Sequence, residues 1–125
     1  MNARKLFDIQ YNQFMCEQEK HGSQIAKRLF NSGPPLFQYQ PLDLFLLWTI
    51  VQELGGYSQI ESWSVVVNAL VGRNNLFATD AAFRIRRNYE KYLLAYELHI
   101  QNRQEAAEAL AEFWQPRHFL PTVAL

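Results

Sequence analysis

The stretch that decides the fold reads PLDLFLLWTIVQEL over residues 41–54 and is followed at once by Gly55 and Gly56. Pro41 suits the first position of a helix, where an N–H would have no intrahelical partner, and Asp43 in the first turn suits the positive end of the helix dipole. Apolar residues occupy nearly every side of this predicted helix, so we expect it to be central and buried. The two glycines predict its end.

The residues before this stretch predict a long helix and a short one. Apolar side chains recur at spacings of four, three and one residue over about residues 2–20, which is the pattern of one helical face. They are Phe7, Tyr11, Phe14 and Met15. Residues 25–30 predict a further helical turn, and the sequence NSGPP over residues 31–35 predicts a break.

The residues after the central stretch begin with a capping box. The sequence SQIE starts at Ser58, and this S-x-x-E pattern predicts a third helix that begins there. Its inward side chains are expected to be Trp63, Val66, Val67 and Leu70. Gly72 breaks the pattern, and Thr79 or Asp80 then caps a long helix that is predicted to run at least to Glu97.

Length and composition predict one folded domain, and the helices predicted along the chain make it all-α. The chain has 125 residues, of which 49% are apolar and 14% aromatic, which is enough to bury a core. An alanine-rich segment over residues 105–114 adds a further helix by propensity. No apolar run approaches the ~18 residues that a membrane-spanning helix needs. The fold expected is a bundle of five to seven helices.

Residue types with catalytic chemistry do not form a recognisable site. Cys16 is the single cysteine, and the histidines do not cluster with it at any metal-ligand spacing. The histidines are His21, His99 and His118. The sequence also contains no Ser/His/Asp arrangement, P-loop or dinucleotide fingerprint. We therefore expect no enzyme, no metal site, no cofactor and no small-molecule substrate.

Charge is balanced in number but segregated in position. The chain has 12 Lys and Arg and 12 Asp and Glu, and the distribution of these charges matters more than their sum. At ~100° per residue, the long helix from residue 80 carries its apolar residues on one side and three cations with one amide on the other. These four residues are Arg84, Arg87, Asn88 and Lys91. Most such stripes are solvated surfaces, so the pattern alone does not establish a binding site.

The element before this helix favours a functional interpretation. A helix, a break over residues 72–78 and a second helix form a helix–turn–helix with a long turn. This arrangement presents the start of the second helix to the major groove of DNA. Arg73, Asn74 and Asn75 in the turn are then candidates for contacts with phosphates or groove edges.

In order and spacing, these motifs resemble the signature of the ARID (AT-rich interaction domain) family. Its members are similar in having a Leu-Asp-Leu-aromatic opening, a Gly-Gly stop, a buried tryptophan and a terminal Tyr-Glu. The matching residues here are 41–45, Val51, Gly55, Gly56, Trp63, Arg86, Tyr89, Tyr92, Leu93, Tyr96 and Glu97. The resemblance covers about residues 6–100.

The resemblance implies a helical bundle that binds duplex DNA through its helix–turn–helix unit. In the family the long turn and the start of the next helix enter the major groove, and residues 33–40 match a loop that contacts the DNA backbone. Carried over by position, the DNA-binding residues are Arg73, Asn74, Asn75, Thr79, Asp80, Arg84, Arg87, Asn88 and Lys91. The cations are expected to pair with phosphates, and Thr79, Asp80, Arg84 and Asn88 to read bases.

Three departures from the family predict weak binding with little sequence selectivity. Asp80 stands where many members have serine or threonine, and a carboxylate there repels phosphate, although it can accept from cytosine N4. The stretch between Gly56 and Trp63 is shorter than in members whose loop carries Asn and Lys, and residues 38–40 lack the Lys or Arg of some relatives. Affinities of order 10⁻⁴–10⁻⁶ M are expected, without a predicted AT preference.

Aromatic side chains on the helices are expected in the core rather than as stacking platforms for bases. Their helical spacing places them on apolar faces. They are Trp48, Trp63, Phe83, Tyr89 and Tyr96.

The function predicted is a duplex DNA-binding module of a nuclear chromatin protein, with other subunits of a chromatin complex as further candidate partners. The resemblance favours a SWI/SNF-type remodeller subunit and leaves open a histone demethylase that carries the same module. Residues 1–100 are expected to form the domain, and residues 101–125 a helical extension and tail. The alternative is a protein-docking scaffold of the same shape. It is supported by the neutral charge, by Asp80 and by the apolar sequence FLPTV over residues 119–123.

Overall fold

The computed structural model describes residues 2–72 and 78–113, apart from the side chains of residues 78, 79, 112 and 113. Within those ranges the chain forms six α-helices, a short antiparallel hairpin and a 3-10 turn. In chain order they are α1 (Ala3–Lys20), α2 (Gln24–Ser32), β1 (Leu36–Phe37), β2 (Gln40–Pro41), α3 (Leu44–Glu53), the 3-10 turn (Tyr57–Gln59), α4 (Trp63–Val71), α5 (Ala78–Tyr92) and α6 (Leu94–Phe113). The predicted all-α bundle is confirmed.

Side-chain caps begin the first three helices. Asn2, Ser23 and Asp43 each accept a hydrogen bond from the backbone N–H three residues later, at 2.8, 3.1 and 3.0 Å. Each such cap satisfies an N–H that has no partner within the helix and stabilises it by about 1 kcal/mol. The predictions of helices over about 2–20 and 25–30 agree with α1 and α2.

The central helix, α3, begins later than its sequence predicts. Pro41 lies in β2 opposite Leu36 of β1, and Asp43 is the N-cap rather than a first-turn residue. The N–H of Leu42 donates to the carbonyl of Pro35 at 2.9 Å, which holds the chain extended up to the cap. The prediction of Pro41 as the first helical residue is therefore wrong, because the hairpin takes this proline instead.

The capping box at Ser58 does not begin a helix. Ser58 belongs to the 3-10 turn, and α4 starts only at Trp63, with Ser62 as its N-cap residue. The turn is anchored by its first N–H, that of Tyr57, which donates to the carboxylate of Glu97 at 3.1 and 3.2 Å. The inward face was predicted correctly, since Trp63, Val66 and Val67 are buried and Leu70 is half-buried.

The long C-terminal helix is interrupted at Leu93. The sequence predicts one helix to at least Glu97, whereas α5 ends at Tyr92 and α6 begins at Leu94. The hydroxyl of Tyr11 donates to the carbonyl of Tyr92 at 2.6 Å. In an uninterrupted helix that carbonyl would accept from the N–H of the residue four positions later. A side chain that inserts into the backbone hydrogen bonds of a helix is a known cause of kinks. The alanine-rich segment that was predicted to be helical is, as far as Phe113, the second half of α6.

The core lies where α1, α3, α4, α5 and the start of α6 meet. Its largest side chains with almost no exposed surface are Tyr89, Leu47, Ile85, Leu93, Val51, Val66 and Val67. Aromatic rings join α1, α3 and α6, with Tyr96 at 5.9 Å from Phe7 and 5.0 Å from Trp48 between ring centroids. Across the described ranges, no helix has the length and apolar character needed to cross a membrane.

Candidate nucleic-acid interface

The two sides of α5 differ sharply in burial. Ala81, Ile85 and Tyr89 have no exposed surface and pack in the core. On the opposite side, Arg84, Arg87 and Lys91 are exposed and Asn88 is half-buried. We call these four residues the cationic stripe. The core therefore fixes how α5 is rotated and leaves the stripe facing solvent, where it can meet a phosphate backbone.

Arg84 is paired within its own helix. Its Nε lies 3.0 Å from the Oδ2 of Asp80, one turn earlier, and the two side chains are 46% and 71% exposed. Its guanidinium also lies over the ring of Phe37 in β1, at 5.6 Å from the ring centroid. An exposed pair of this kind contributes only about 0–1 kcal/mol, so a phosphate can displace the carboxylate. If Arg84 binds DNA as the sequence predicts, Asp80 competes with the phosphate for its guanidinium.

Arg87 and Lys91 differ from Arg84 in their ion pairing. The ion pairs of the described part of the chain are Arg4–Asp43, Lys20–Glu17, Arg84–Asp80 and Arg86–Glu90. Neither Arg87 nor Lys91 takes part in any of them. Among the described residues, neither cation therefore has to give up a carboxylate before it binds a phosphate. Each can then contribute the full salt dependence of one phosphate contact.

The hairpin places its tip beside the first half of α5. An open concavity of about 610 Å³ separates the two elements. Its lining residues are Leu36, Gln38, Tyr39, Asp80 and Arg84. The loop that the resemblance associates with the DNA backbone and the helix that it associates with the major groove thus border one surface.

Tyr39 is the most prominent side chain of the hairpin tip, with 95% of its surface exposed. It and Gln38 have φ values of +67° and +51°, the left-handed region that residues other than glycine rarely adopt. Two successive residues of this kind form the tight turn that matches the twist of the strands. The turn projects the Tyr39 ring into solvent, where it can contact sugar or phosphate.

Several predicted site residues lie outside the described part of the chain. Arg73, Asn74 and Asn75 fall between residues 72 and 78, and the side chain of Thr79 is likewise not described. The structure brings together Asp80, Arg84, Arg87, Asn88 and Lys91 on α5. Their contact with DNA stays a prediction.

Phe83 was expected in the core, and this expectation is wrong. Its side chain is 64% exposed. Phe83 is one turn before Arg87, so it lies along one edge of the cationic stripe rather than on the buried side of α5. The same helical angles that separate Arg84 from Ile85 place Phe83 at the edge of the cationic stripe, so the sequence could have predicted this exposed position. An exposed phenylalanine at this position can contact the methyl group of thymine in the major groove.

A buried carboxylate holds α5 against the rest of the bundle. Glu97 is only 3% exposed and accepts from Gln52 Nε2 at 2.9 Å, from the Tyr57 N–H at 3.1 and 3.2 Å, and from the Tyr89 hydroxyl. Gln101 Nε2 lies 3.4 Å from it. We call these five residues the Glu97 network. Burial of the ring and the bond to Glu97 raise the pKa of Tyr89, which keeps its hydroxyl protonated as a donor.

Sequence reasoning identified Glu97 only as a residue of the long helix and of the terminal Tyr-Glu motif, and did not predict its burial. A charged residue is rarely fully buried unless its partners satisfy it. The available signal was its position in the terminal Tyr-Glu motif. The network explains the glutamate of this motif, because Glu97 joins the end of α3, the 3-10 turn, α5 and α6.

The side chain of Tyr57 forms a second connection to α5. Its hydroxyl donates to Glu90 Oε2, and Nε and Nη2 of Arg86 both lie 3.4 Å from the hydroxyl oxygen. These contacts raise the pKa of Arg86, chiefly through the hydrogen bond to Tyr57. The Arg86 guanidinium is consequently bound to Tyr57 and Glu90, and Arg86 is not a member of the cationic stripe.

Comparisons with known proteins agree with this geometry. Residues 3–97 match the ARID/BRIGHT DNA binding domain family. The chain is 33% identical over 69 residues to Trithorax group protein osa of Drosophila melanogaster. It is 38% identical over 66 residues to AT-rich interactive domain-containing protein 3B of Homo sapiens, and 35% identical over 75 residues to AT-rich interactive domain-containing protein 6 of Arabidopsis thaliana.

These alignments cover 52%, 50% and 58% of this chain but only 2%, 11% and 18% of the three relatives. The chain thus spans a small part of the length of the curated relatives it matches. No solved structure gives a significant match. The family match extends over most of the chain and includes α1 to α5, the hairpin and the Tyr-Glu motif. The chain therefore belongs to the ARID/BRIGHT DNA binding domain family.

Proposed function

We propose that this domain holds a nuclear chromatin protein on duplex DNA, through weak binding that depends strongly on salt. The observation that carries the proposal is the cationic stripe, which α5 exposes on the side opposite its buried face. Arg87 and Lys91 have no carboxylate partner among the described residues, so they are the main phosphate contacts proposed. Arg84 joins them after release from Asp80, and Arg73 contributes from the turn.

The proposed orientation places the first half of α5 in the major groove and the hairpin tip on the adjacent backbone. The concavity between Tyr39 and Arg84 then receives one strand of sugar and phosphate. Base contacts come from Thr79, Asp80, Arg84 and Asn88, with Asn74 and Asn75 at the groove edges. Phe83 adds an apolar contact to thymine methyl groups.

Weak affinity follows from the charge balance. The net charge is zero, and Asp80 places a carboxylate inside the proposed interface. Few uncompensated cations then face the phosphates, and dissociation constants of order 10⁻⁴–10⁻⁶ M at physiological salt are expected. By family membership the parent is a chromatin or transcription regulator. A SWI/SNF-type remodeller subunit is the parent that we favour, ahead of a histone demethylase that carries the same module.

The division of the chain forms part of the same proposal. Residues 1–100 constitute the DNA-binding domain, and residues 101–125 an extension. This boundary is supported by the exposure of every side chain from residue 101 to residue 111 and by the family match, which ends at residue 97. The extension is then free to meet other subunits of a chromatin complex.

The second candidate function is a scaffold that docks proteins rather than DNA. It is favoured by the same exposed half of α6, which includes Leu110 at 58% exposure, together with the neutral charge. The two functions differ in salt dependence, because apolar docking responds little to ionic strength.

The deciding experiment is a fluorescence-anisotropy titration with one AT-rich and one GC-rich duplex at low and physiological salt. DNA tethering predicts binding to both duplexes that weakens steeply as salt rises. A difference between the duplexes would measure base or shape selectivity. Absence of binding to either duplex at low salt would reject the DNA proposal and favour the scaffold.

A further inference from the structure

Glu90 lies at the edge of α5 next to the cationic stripe, and its carboxylate has two candidate cationic partners on its own helix. Arg86 precedes it by four residues and Arg87 by three, and side chains at both spacings are neighbours on a helix surface. In the structure Glu90 Oε2 lies 3.4 Å from Nε of Arg86. Arg87 takes part in none of the ion pairs of the described residues.

The choice between these partners follows from Tyr57. Its hydroxyl donates to Glu90 Oε2 and accepts from both Nε and Nη2 of Arg86, each at 3.4 Å. The Arg86 guanidinium also lies over the Tyr57 ring, at 5.8 Å from its centroid. The Tyr57 hydroxyl therefore binds the Glu90 carboxylate and the Arg86 guanidinium together, on the side of α5 away from Arg87.

Tyr57 can impose this arrangement because the core fixes it independently of Arg86 and Glu90. Its N–H is bonded to buried Glu97. Its ring is stacked on Tyr89 with centroids 5.9 Å apart and packs against Trp63 at 5.7 Å. The hydroxyl is thus held in place by contacts that do not involve the surface of α5.

We propose that Tyr57 is a positioning residue for DNA binding, which holds Glu90 away from Arg87 and so keeps Arg87 available to a phosphate. The inference rests on the proposed function, because it concerns how one cation of that interface is kept uncompensated. Without the hydroxyl, Glu90 divides between Arg86 and Arg87. An ion pair with Glu90 would neutralise one of the two stripe cations that have no ion-pair partner among the described residues, and one phosphate contact would be lost.

The test is Tyr57→Phe, which removes the hydroxyl and keeps the ring in the core. The slope of log K against log salt for one duplex is expected to fall in magnitude by up to about 0.9, the value for one phosphate contact. Tyr57→Phe combined with Glu90→Gln is expected to restore the slope, since the competing charge is gone. A merely structural role of Tyr57 would not be rescued in this way. Tyr96→Phe, which removes a hydroxyl from a buried ring elsewhere in the bundle, is the control and should leave the slope unchanged.

A second readout does not depend on DNA. The Nε–Hε signal of Arg87 is followed by NMR in the free protein, where pairing with Glu90 slows its exchange with water. Slower exchange in Tyr57→Phe that reverts in the double variant supports the proposal even if the parent binds no duplex. An unchanged Arg87 signal overturns it. So does a loss of salt slope that Glu90→Gln does not restore.

Discussion

The guanidinium of Arg84 lies 3.0 Å from the carboxylate of Asp80 on the same exposed face of α5. Because this side of the helix is the proposed DNA surface, every phosphate that binds Arg84 must displace Asp80 or share the guanidinium with it. The pair is therefore expected to weaken DNA binding, while it stabilises the fold by only about 0–1 kcal/mol. This competition leads to the first prediction.

Asp80→Asn is expected to strengthen binding to duplex DNA. It removes a charge that repels phosphate and frees Arg84, so affinity at low salt should rise several-fold and the salt slope should steepen by up to about 0.9. Anisotropy titrations over a salt series measure both quantities. Glu17→Gln is the matched control, because Glu17 forms the equivalent exposed pair with Lys20 at the end of α1. Equal gains in the two variants would point to net charge alone.

Arg87→Ala is expected to weaken DNA binding more than Arg84→Ala. In the described part of the chain Arg87 has no carboxylate to give up, whereas Arg84 is already partly neutralised by Asp80. The loss of salt slope should therefore be close to 0.9 for Arg87 and smaller for Arg84. Both residues are exposed, and thermal unfolding should be unchanged within about 0.5 kcal/mol. Arg103→Ala on the exposed half of α6 is the control. If both stripe variants bind as the parent does, α5 is not the DNA-binding helix.

Phe83→Ala is expected to reduce discrimination between duplexes rather than overall affinity. The ring carries no charge, so the salt slope should be unchanged, while the small preference for thymine at the contacted step should fall by up to about 0.8 kcal/mol, the value of one buried methylene-sized group. Competition titrations with duplexes that contain thymine or uracil at that step isolate the methyl group. Leu110→Ala, a truncation at another exposed apolar residue, should leave both quantities unaltered. A destabilised fold in Phe83→Ala would contradict the exposed position of the ring.

Asp43 is expected to make stability depend on pH in the acidic range. The Arg4 guanidinium, which binds both carboxylate oxygens at 3.1 and 2.8 Å, lowers the pKa of Asp43 against the opposing effect of partial burial, and the N–H of Leu46 adds to the lowering. A depressed folded-state pKa means that the native protein binds this proton less readily than the unfolded chain. The stabilisation is therefore complete above pH ~4 and is lost as the pH falls through the lowered value.

Two variants separate the contributions of Asp43. Asp43→Asn keeps a side chain that can cap α3 and removes the charge, so the difference in unfolding free energy from the parent should shrink as the pH is lowered from 6 to about 2.5. Asp43→Ala also removes the cap and should cost about 1 kcal/mol more at every pH. Urea denaturation across this range measures both effects. If the difference in unfolding free energy between the parent and Asp43→Asn stays constant with pH, the role assigned to the carboxylate is contradicted.

The sequence was sufficient for those parts of the fold that repeat with helical periodicity. Ile85 and Tyr89 recur at the spacing of a buried face, and Arg84, Arg87 and Lys91 at that of an exposed one, because a helix of 3.6 residues per turn separates them whatever it packs against. The burial of Val66 and Val67 followed in the same way. The grouping of the charged and apolar residues of α5 could thus be predicted before any tertiary contact was known.

The errors occurred where a distant residue decides a local structure. The turn at Ser58 is anchored by Glu97, and the break between α5 and α6 lies at the Tyr92 carbonyl, which accepts from the Tyr11 hydroxyl 81 residues earlier in the chain. Pro41 joins a strand only because Leu36 pairs with it. None of these partners is visible in the local pattern. Phe83 is different, since its angle on the helix was available and the general preference of phenylalanine for the core was followed instead.

The Glu97 network also has a consequence for the order in which the domain folds. Glu97 meets Gln52 and the Tyr57 N–H across 45 and 40 residues of chain, whereas its contact with Tyr89 spans only eight. Contacts across long loops cost chain entropy before they return any stabilisation, and they therefore tend to form late. We expect α5 and α6 to meet first through Tyr89 and the end of α3 to join afterwards. The polar contacts that join α5 and α6 to the end of α3 and to the 3-10 turn would then form only in the last steps of folding, and local opening of the native state would break them before it disturbed the hydrophobic centre.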